Sequence, residues 1–349
     1  MDSVAVERSM HTAAEYYGTG RRDAAGALCA DILDRRPDYI PAIHLSAVIA
    51  FASGRMAEGA ELLQKLFLLD PNHVPALVTL GDALAVKEEH AGAIATFERA
   101  LELRPRDVGL HAKLGSALAD AARFVEAASI FRAALELDPD HVQMRFRLAI
   151  CLAAAGRLAE AEDAYRAVIA RDPSHSAAWL KLGLLLAGRH EFGEAVASYR
   201  RALAGDPNNA DAHGALGEAL QQCGRLDDAI VHFRRSSELA PNDSQALRKL
   251  ALLLHHTRRL QDAVHAYRRL TALDSTDVLI QNNLCGCLLD LGQLDEAAAA
   301  AARALQLDPG FAKAHVNLGL ILERQGQTDA AIAACRRGIA ANPDDANGH

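Results

Sequence analysis

Apolar residues along this chain recur at helical spacing, in pairs of short bursts separated by polar turns. Within residues 108–141, Leu114 and Leu118 lie four apart, and Ala127, Phe131 and Ala134 follow at intervals of four and three. Each burst is one buried face of a helix. Between them stands Asp120-Ala121-Ala122-Arg123, which reads as a turn. In four later segments the same turn holds Gly156, Gly224, Gly292 or Gly326, and glycine suits the left-handed backbone that closes a helix. Acidic pairs such as Asp227-Asp228 and Asp295-Glu296 follow the turn and suit the positive start of a second helix.

The prolines supply the period. Pro37, Pro71, Pro105, Pro139, Pro173, Pro207 and Pro241 stand 34 residues apart, Ser275 takes the next place, and Pro309 and Pro343 resume the count. Proline cannot continue a helix interior, so each one closes a second helix. The frame gives ten repeats: 6–39, 40–73, 74–107, 108–141, 142–175, 176–209, 210–243, 244–277, 278–311 and 312–345. No Gly/Ser/Pro-rich linker interrupts them, so residues 1–349 are expected to form a single all-α domain. Small residues recur at positions 8, 20 and 27 of the frame, as in Gly81, Ala93 and Ala100 or Gly183, Ala195 and Ala202. Phe97, Phe131, Tyr165, Tyr199, Phe233 and Tyr267 share position 24 and are expected to fill the space between paired helices.

Length, register and residue type together resemble the tetratricopeptide repeat family over residues 6–345. Trp179-Leu180-Lys181-Leu182-Gly183 with Ala195, Tyr199, Ala202 and Pro207 follows the family signature. Repeats 1 and 2 depart from it, with Thr12 and Ser46 in place of leucine and Gly59 in place of alanine, and Ala301 replaces the aromatic of repeat 9. The resemblance implies a right-handed α-solenoid, a superhelix of about ten helix-turn-helix units. First helices would line its concave groove, which in this family usually holds a peptide or partner protein.

By that register, positions 2, 5, 6, 9, 12 and 13 face the groove. Position 6 reads Lys113, Arg147, Lys181, Ala215, Lys249, Asn283 and Asn317 from the fourth repeat onward. Four cations in one lane suit carboxylates or phosphates on a ligand. Phe146, Ile150, Leu180 and Leu184 at positions 5 and 9 of repeats 5 and 6 suggest an apolar anchor site beside them; packing between first helices is the competing reading. His315-Val316-Asn317-Leu318-Gly319 and Asn283 resemble the asparagine lane in the arm of O-linked N-acetylglucosamine transferase-like proteins, where amides grip a peptide backbone. Arg248, Asn283 and Lys313 also fall near the family's carboxylate-clamp positions, although Leu252 and Asn317 do not match that clamp.

Composition changes this picture little. Half the residues are apolar, aromatics make up 5%, and the formal net charge of −8 argues against a general nucleic-acid binder. The groove also lacks a per-repeat set of stacking aromatics, so RNA is not the expected partner. Six cysteines without C-x-x-C spacing read as free thiols. No basic end followed by an apolar run begins the chain, and no apolar stretch reaches the roughly 18 residues of a membrane span, so a cytoplasmic protein is expected. Nucleophile elbows, phosphate loops and H-E-x-x-H are absent, and neither catalysis, a metal nor a cofactor is expected. His111, His213 and His315 at position 4 read as packing residues, and the adjacent His255 and His256 make a poor metal pair.

Ala346-Asn347-Gly348-His349 read as the start of an eleventh repeat, which points to a segment of a longer protein. The leading reading is a non-catalytic interaction scaffold. The alternative is a substrate-recruiting arm of a glycosyltransferase-like enzyme whose catalytic domain follows His349. An unfinished last repeat would also expose Ile332 and Ile339, offering end-to-end self-association.

Overall fold

The computed structural model describes residues 3–342, and the expectation for residues 346–349 lies outside them. Among the described residues there are twenty α-helices and no strand, a helical solenoid of about ten repeats. The chain divides into two compact units, Met1–Pro173 and Ser174–His349, at the boundary between the fifth and sixth repeats. The first unit holds α1 (Ser3–Gly18), α2 (Arg22–Arg35), α3 (Ile40–Ala52), α4 (Met56–Leu69), α5 (Val74–Val86), α6 (His90–Leu103), α7 (Val108–Asp120), α8 (Phe124–Leu137), α9 (Val142–Ala154) and α10 (Leu158–Arg171). The second holds α11 (Ser176–Gly188), α12 (Phe192–Gly205), α13 (Ala210–Gln222), α14 (Leu226–Leu239), α15 (Ser244–His256), α16 (Leu260–Leu273), α17 (Val278–Asp290), α18 (Leu294–Leu307), α19 (Ala312–Arg324) and α20 (Thr328–Ala341). Within each unit consecutive helices pack together, odd-numbered helices being the first of each repeat.

Position 34 caps the start of most first helices, Tyr39 and Phe311 being the exceptions that make no side-chain cap. The side chains of Asp107, Asn209 and Asp243 accept N–H bonds from Leu110, Ala212 and Gln245 at 3.1, 2.9 and 2.8 Å, satisfying donors that the first turn leaves open. His73 and His141 do the same through Nδ1, from Ala76 at 3.2 Å and Met144 at 3.3 Å. Position 15 decides where they end. Gly20, Gly54, Gly156, Gly224, Gly292 and Gly326 have φ between 72° and 80°, and Glu88, Ala122, His190 and Arg258 adopt φ of 58–63° at the same place in the other repeats. The turn geometry is thus imposed by the hairpin, and four repeats accept it without glycine.

The aromatic at position 24 packs over the small residue at position 8 of its own repeat. A methyl group at Gly81, Gly115, Gly183 or Gly217 would stand 2.5–2.8 Å from the ring of Phe97, Phe131, Tyr199 or Phe233. Close packing leaves no room for it. In repeat 9, whose position 24 is Ala301, the larger Cys285 stands fully buried at position 8. In repeat 10 Cys335 takes the ring's place against Gly319. Repeat 2 reverses the arrangement, laying Phe51 of its first helix over Gly59 of its second. The Gly59 departure is therefore a volume exchange.

Second helices are joined by ion-paired rungs. Arg132 reaches Glu160 of the next repeat at 2.6 Å, where Arg157 also binds, and Arg234 reaches Asp262 at 3.2 Å. These pairs are solvent-exposed and contribute little each. The six cysteines are free thiols, and burial pushes Cys285 and Cys287 up to about 12, leaving them protonated.

Candidate functional site

First-helix residues converge on one cleft in each unit. In the first unit, a recess of about 300 Å³ is lined by Asp82 and Ala85 of α5, Ala112, Lys113, Ser116, Ala117 and Asp120 of α7, Arg147 of α9 and the edge of Phe97. Lys113 crosses it to hold Asp82, at 2.6 and 2.8 Å to the two carboxylate oxygens, with its ammonium 6.0 Å above the Phe97 ring. In the second unit a cleft of about 900 Å³ runs across α11, α13 and α15. Its floor is made by Gly214, Ala215 and Ala219 of α13, and Leu184 with Phe192 and Tyr199 form an apolar wall. Gln221, Gln222 and Gln245 line the polar side together with Asp211, Glu218, Asp243 and Lys249.

The cleft deepens where repeat 7 carries only small residues at positions 5 and 6. Positions 5 and 6 are Phe146 and Arg147 in repeat 5, Leu180 and Lys181 in repeat 6, and Arg248 and Lys249 in repeat 8, but Gly214 and Ala215 in repeat 7. Two long stems are missing, and a recess opens where they would lie.

The residues expected to line a groove take different places. Lys113 and Lys249 are half-buried and tied to carboxylates of the preceding first helix, Asp82 and Glu218. Arg248 pairs with Asp277 at 2.9 Å. Arg147, Lys181 and Lys313 have no ion pair among the described residues. A continuous basic lane is therefore reduced to separate free cations, because the lane supplies its own counter-charges at position 9 and position 34. Phe146 is buried, with its ring 6.0 Å from that of Tyr165, so it packs inside its unit and is no open anchor. Ile150 and Leu184 are exposed at 37% and 45%, enough for a partner to cover, while Leu180 is half-buried. Asn317 donates to the Asn282 side chain at 2.9 Å, so its amide is partly spent on a neighbouring helix, and Asn283 is half-buried beside it on α17.

The position-4 histidines are held in place. His111 is buried with Nδ1 at 2.9 Å from the Asp107 carbonyl, and buried His315 uses Nε2 on the Pro309 carbonyl at 2.9 Å. His213 binds the Pro207 carbonyl at 3.1 Å and shares a 3.0 Å contact between Nδ1 atoms with His232. His255 reaches Asp290 at 3.2 Å, beside Arg258 on the same carboxylate. Among the described residues no group of three or more His, Cys, Asp or Glu is placed to hold a metal.

The larger cleft is signalled in the sequence by Gly214 and Ala215, the smallest residues at positions 5 and 6, and its polar lining by Asp211, Glu218, Gln221 and Gln222 at groove-facing positions 2, 9, 12 and 13 of the same repeat. Ile332 is exposed and Ile339 half-buried on α20, and no helix of the described residues is long and apolar enough to cross a membrane.

Paired helices, a left-handed turn at position 15 and an aromatic set over position 8 define an α-helical repeat protein. Tetratricopeptide repeat models match residues 50–117, 118–185, 186–253 and 288–346, and the chain belongs to the tetratricopeptide repeat family. Among solved structures it is similar to the C-terminal part of a repeat-containing protein from Cytophaga hutchinsonii, with 15% identity over 67% of this chain and 96% of that one and a TM-score of 0.55. It is also similar to YrrB, described as a tetratricopeptide protein with an unusual peptide-binding site, at 22% identity over 54% of this chain and 96% of that one, TM-score 0.49. A MamA protein matches at 23% identity over 49% and 94% of the two chains, TM-score 0.45. No curated protein matches the chain. The structural likenesses are likenesses of fold.

Proposed function

We propose that this chain is a non-catalytic scaffold that holds an extended segment of a partner protein, and that the cleft across α11, α13 and α15 is its principal seat. The observation that carries this reading is the cleft of about 900 Å³, whose floor is kept open by Gly214 and Ala215. A recess of that size takes several side chains of a peptide, and its mixed lining is of the kind that orients a ligand through few polar contacts. Leu184 offers exposed apolar surface at its edge, and the Gln221, Gln222 and Gln245 amides each carry both a donor and an acceptor for a peptide backbone. In the first unit Arg147 and Ile150 extend the same kind of surface, and Lys181 does so beside Leu184 in the second.

The test is direct. The purified chain is exposed to a displayed random-peptide library, and a selected peptide is titrated against wild type and Ala215→Trp by isothermal calorimetry. Saturable binding to wild type that falls at least tenfold in the folded variant is the expected result. Equal binding to both moves the seat elsewhere and ends this assignment.

A further inference from the structure

The charges around the cleft of the second unit are unbalanced, and the imbalance has the opposite sign to the lane of cations. Three carboxylates, Asp211, Glu218 and Asp243, face it against the single ammonium of Lys249. They are not equally engaged. Asp243 accepts the Gln245 N–H at 2.8 Å, and Glu218 holds Lys249 through Oε1, which leaves its second oxygen. Asp211, exposed in the first turn of α13, has neither a hydrogen bond nor an ion pair among the described residues. Anionic residues in a concave surface with apolar walls create a negative potential that attracts a cationic group and repels carboxylates.

Resting on the scaffold reading above, we propose that the cleft selects a partner segment in which a lysine or arginine adjoins a large apolar residue. The cationic head meets Asp211 and the free oxygen of Glu218, a charge-assisted arrangement. Its aliphatic stem crosses the floor at Gly214 and Ala215, where a longer residue of this chain would block it. The neighbouring apolar residue covers Leu184, which is 45% exposed, against Phe192. Lys249 keeps its place on Glu218 and closes the far end of the cleft to a second cation. A segment rich in aspartate or glutamate, which Lys249 alone would favour, faces three carboxylates instead.

The experiment uses the full chain. Peptides selected from the random library are sequenced, and one of them is titrated as the original and with its basic residue changed to glutamine. Enrichment of lysine or arginine is expected, with an affinity loss of about tenfold on removing that residue, which corresponds to about 1.4 kcal/mol. The same loss is expected for the unmodified peptide on Asp211→Asn, which keeps the side-chain shape and the helix start. Double substitution, in peptide and protein together, should cost little more than either alone. Enrichment of acidic residues, or equal binding of the basic peptide to wild type and Asp211→Asn, overturns the charge assignment while leaving a peptide scaffold standing. Failure of any peptide to bind overturns both.

Discussion

The recess of the first unit and the cleft of the second are built from the same positions, three repeats apart. Each residue lining the smaller one has its counterpart lining the larger: Asp82 and Leu184, Phe97 and Tyr199, Ala112 and Gly214, Lys113 and Ala215, Ser116 and Glu218, Arg147 and Lys249. The volumes nevertheless differ, about 300 against about 900 Å³. The difference lies in where the cation–carboxylate pair sits. In the first unit Lys113 reaches Asp82 across the middle of the recess, filling it with its own stem. In the second the pair is displaced by one repeat, Lys249 holding Glu218 at the edge, and the middle is left to Ala215. A repeat fold thus makes a binding surface by varying lane residues over a constant frame.

If the frame is constant, breaking it should cost the same in both units. Phe97→Ala and Tyr199→Ala each remove a ring that is at least 98% buried over a position-8 glycine. Each is expected to lower stability by about 3–5 kcal/mol, read from urea unfolding. Tyr199→Phe should cost far less, since that hydroxyl makes no hydrogen bond among the described residues. A large loss in one unit and a small one in the other would mean the rings do different jobs.

Exchanging the lane residues is the sharper test of the volume argument. Ala215→Lys places a stem on the floor of the larger cleft and should reduce peptide affinity by at least tenfold while leaving the thermal midpoint nearly unchanged. Lys113→Ala performs the reverse operation in the first unit. It removes a half-buried ion pair still open to solvent, worth about 1 kcal/mol, and should open the recess toward the size of the larger cleft, visible as a cavity in a crystal structure. Unchanged affinity in Ala215→Lys would separate the cleft from peptide binding altogether.

The frame was legible in the sequence because its causes are local. Proline at position 32, a small residue at position 8 and an aromatic at position 24 each report a constraint that one repeat satisfies by itself. The lane was legible only as a row of positions. Whether Lys113 or Lys249 is free depends on position 9 of the preceding repeat, 31 residues away in the chain, and single-residue reading does not add those two positions together. Phe146 fitted either an anchor or a packing residue for a related reason: the Tyr165 ring beside which it is buried lies outside its own helix pattern.

The turns offer a smaller comparison. Ala122 in the first unit and His190 in the second both hold φ near +60°, where six other repeats use glycine. Ala122→Gly relieves that strain and is expected to raise stability by about 0.5–1 kcal/mol, after subtracting the extra freedom glycine gives the unfolded chain. His190→Gly should gain less, because it also removes a ring edge packed 5.6 Å from Phe192 at the mouth of the cleft. Thermal midpoints of the two variants measure the difference directly.

The smallest expected effect is on acid stability, and here too the units can be compared. Burial is the main cause lowering the His44 pKa from its ordinary 6.5, with the nearby His73 adding to it, while the Pro75 backbone opposes. Burial likewise leads in lowering that of His232, followed by His213 and Arg200, with Asp228 opposing. A histidine that resists protonation in the folded state contributes full stability above pH 6.5, and that contribution is lost as the pH falls from there toward the folded-state pKa. Both units should therefore soften as the pH falls below 6.5 toward 5.5. The second should soften more steeply, since the 3.0 Å contact between His213 and His232 joins two Nδ1 atoms and requires one of them to remain an acceptor. His44 meets Thr79 instead, at 2.9 Å, and a hydroxyl can turn its oxygen toward a charged ring. Melting His44→Gln and His232→Gln across that range should flatten the pH dependence more in the second variant; equal flattening would mean that burial alone governs both sites.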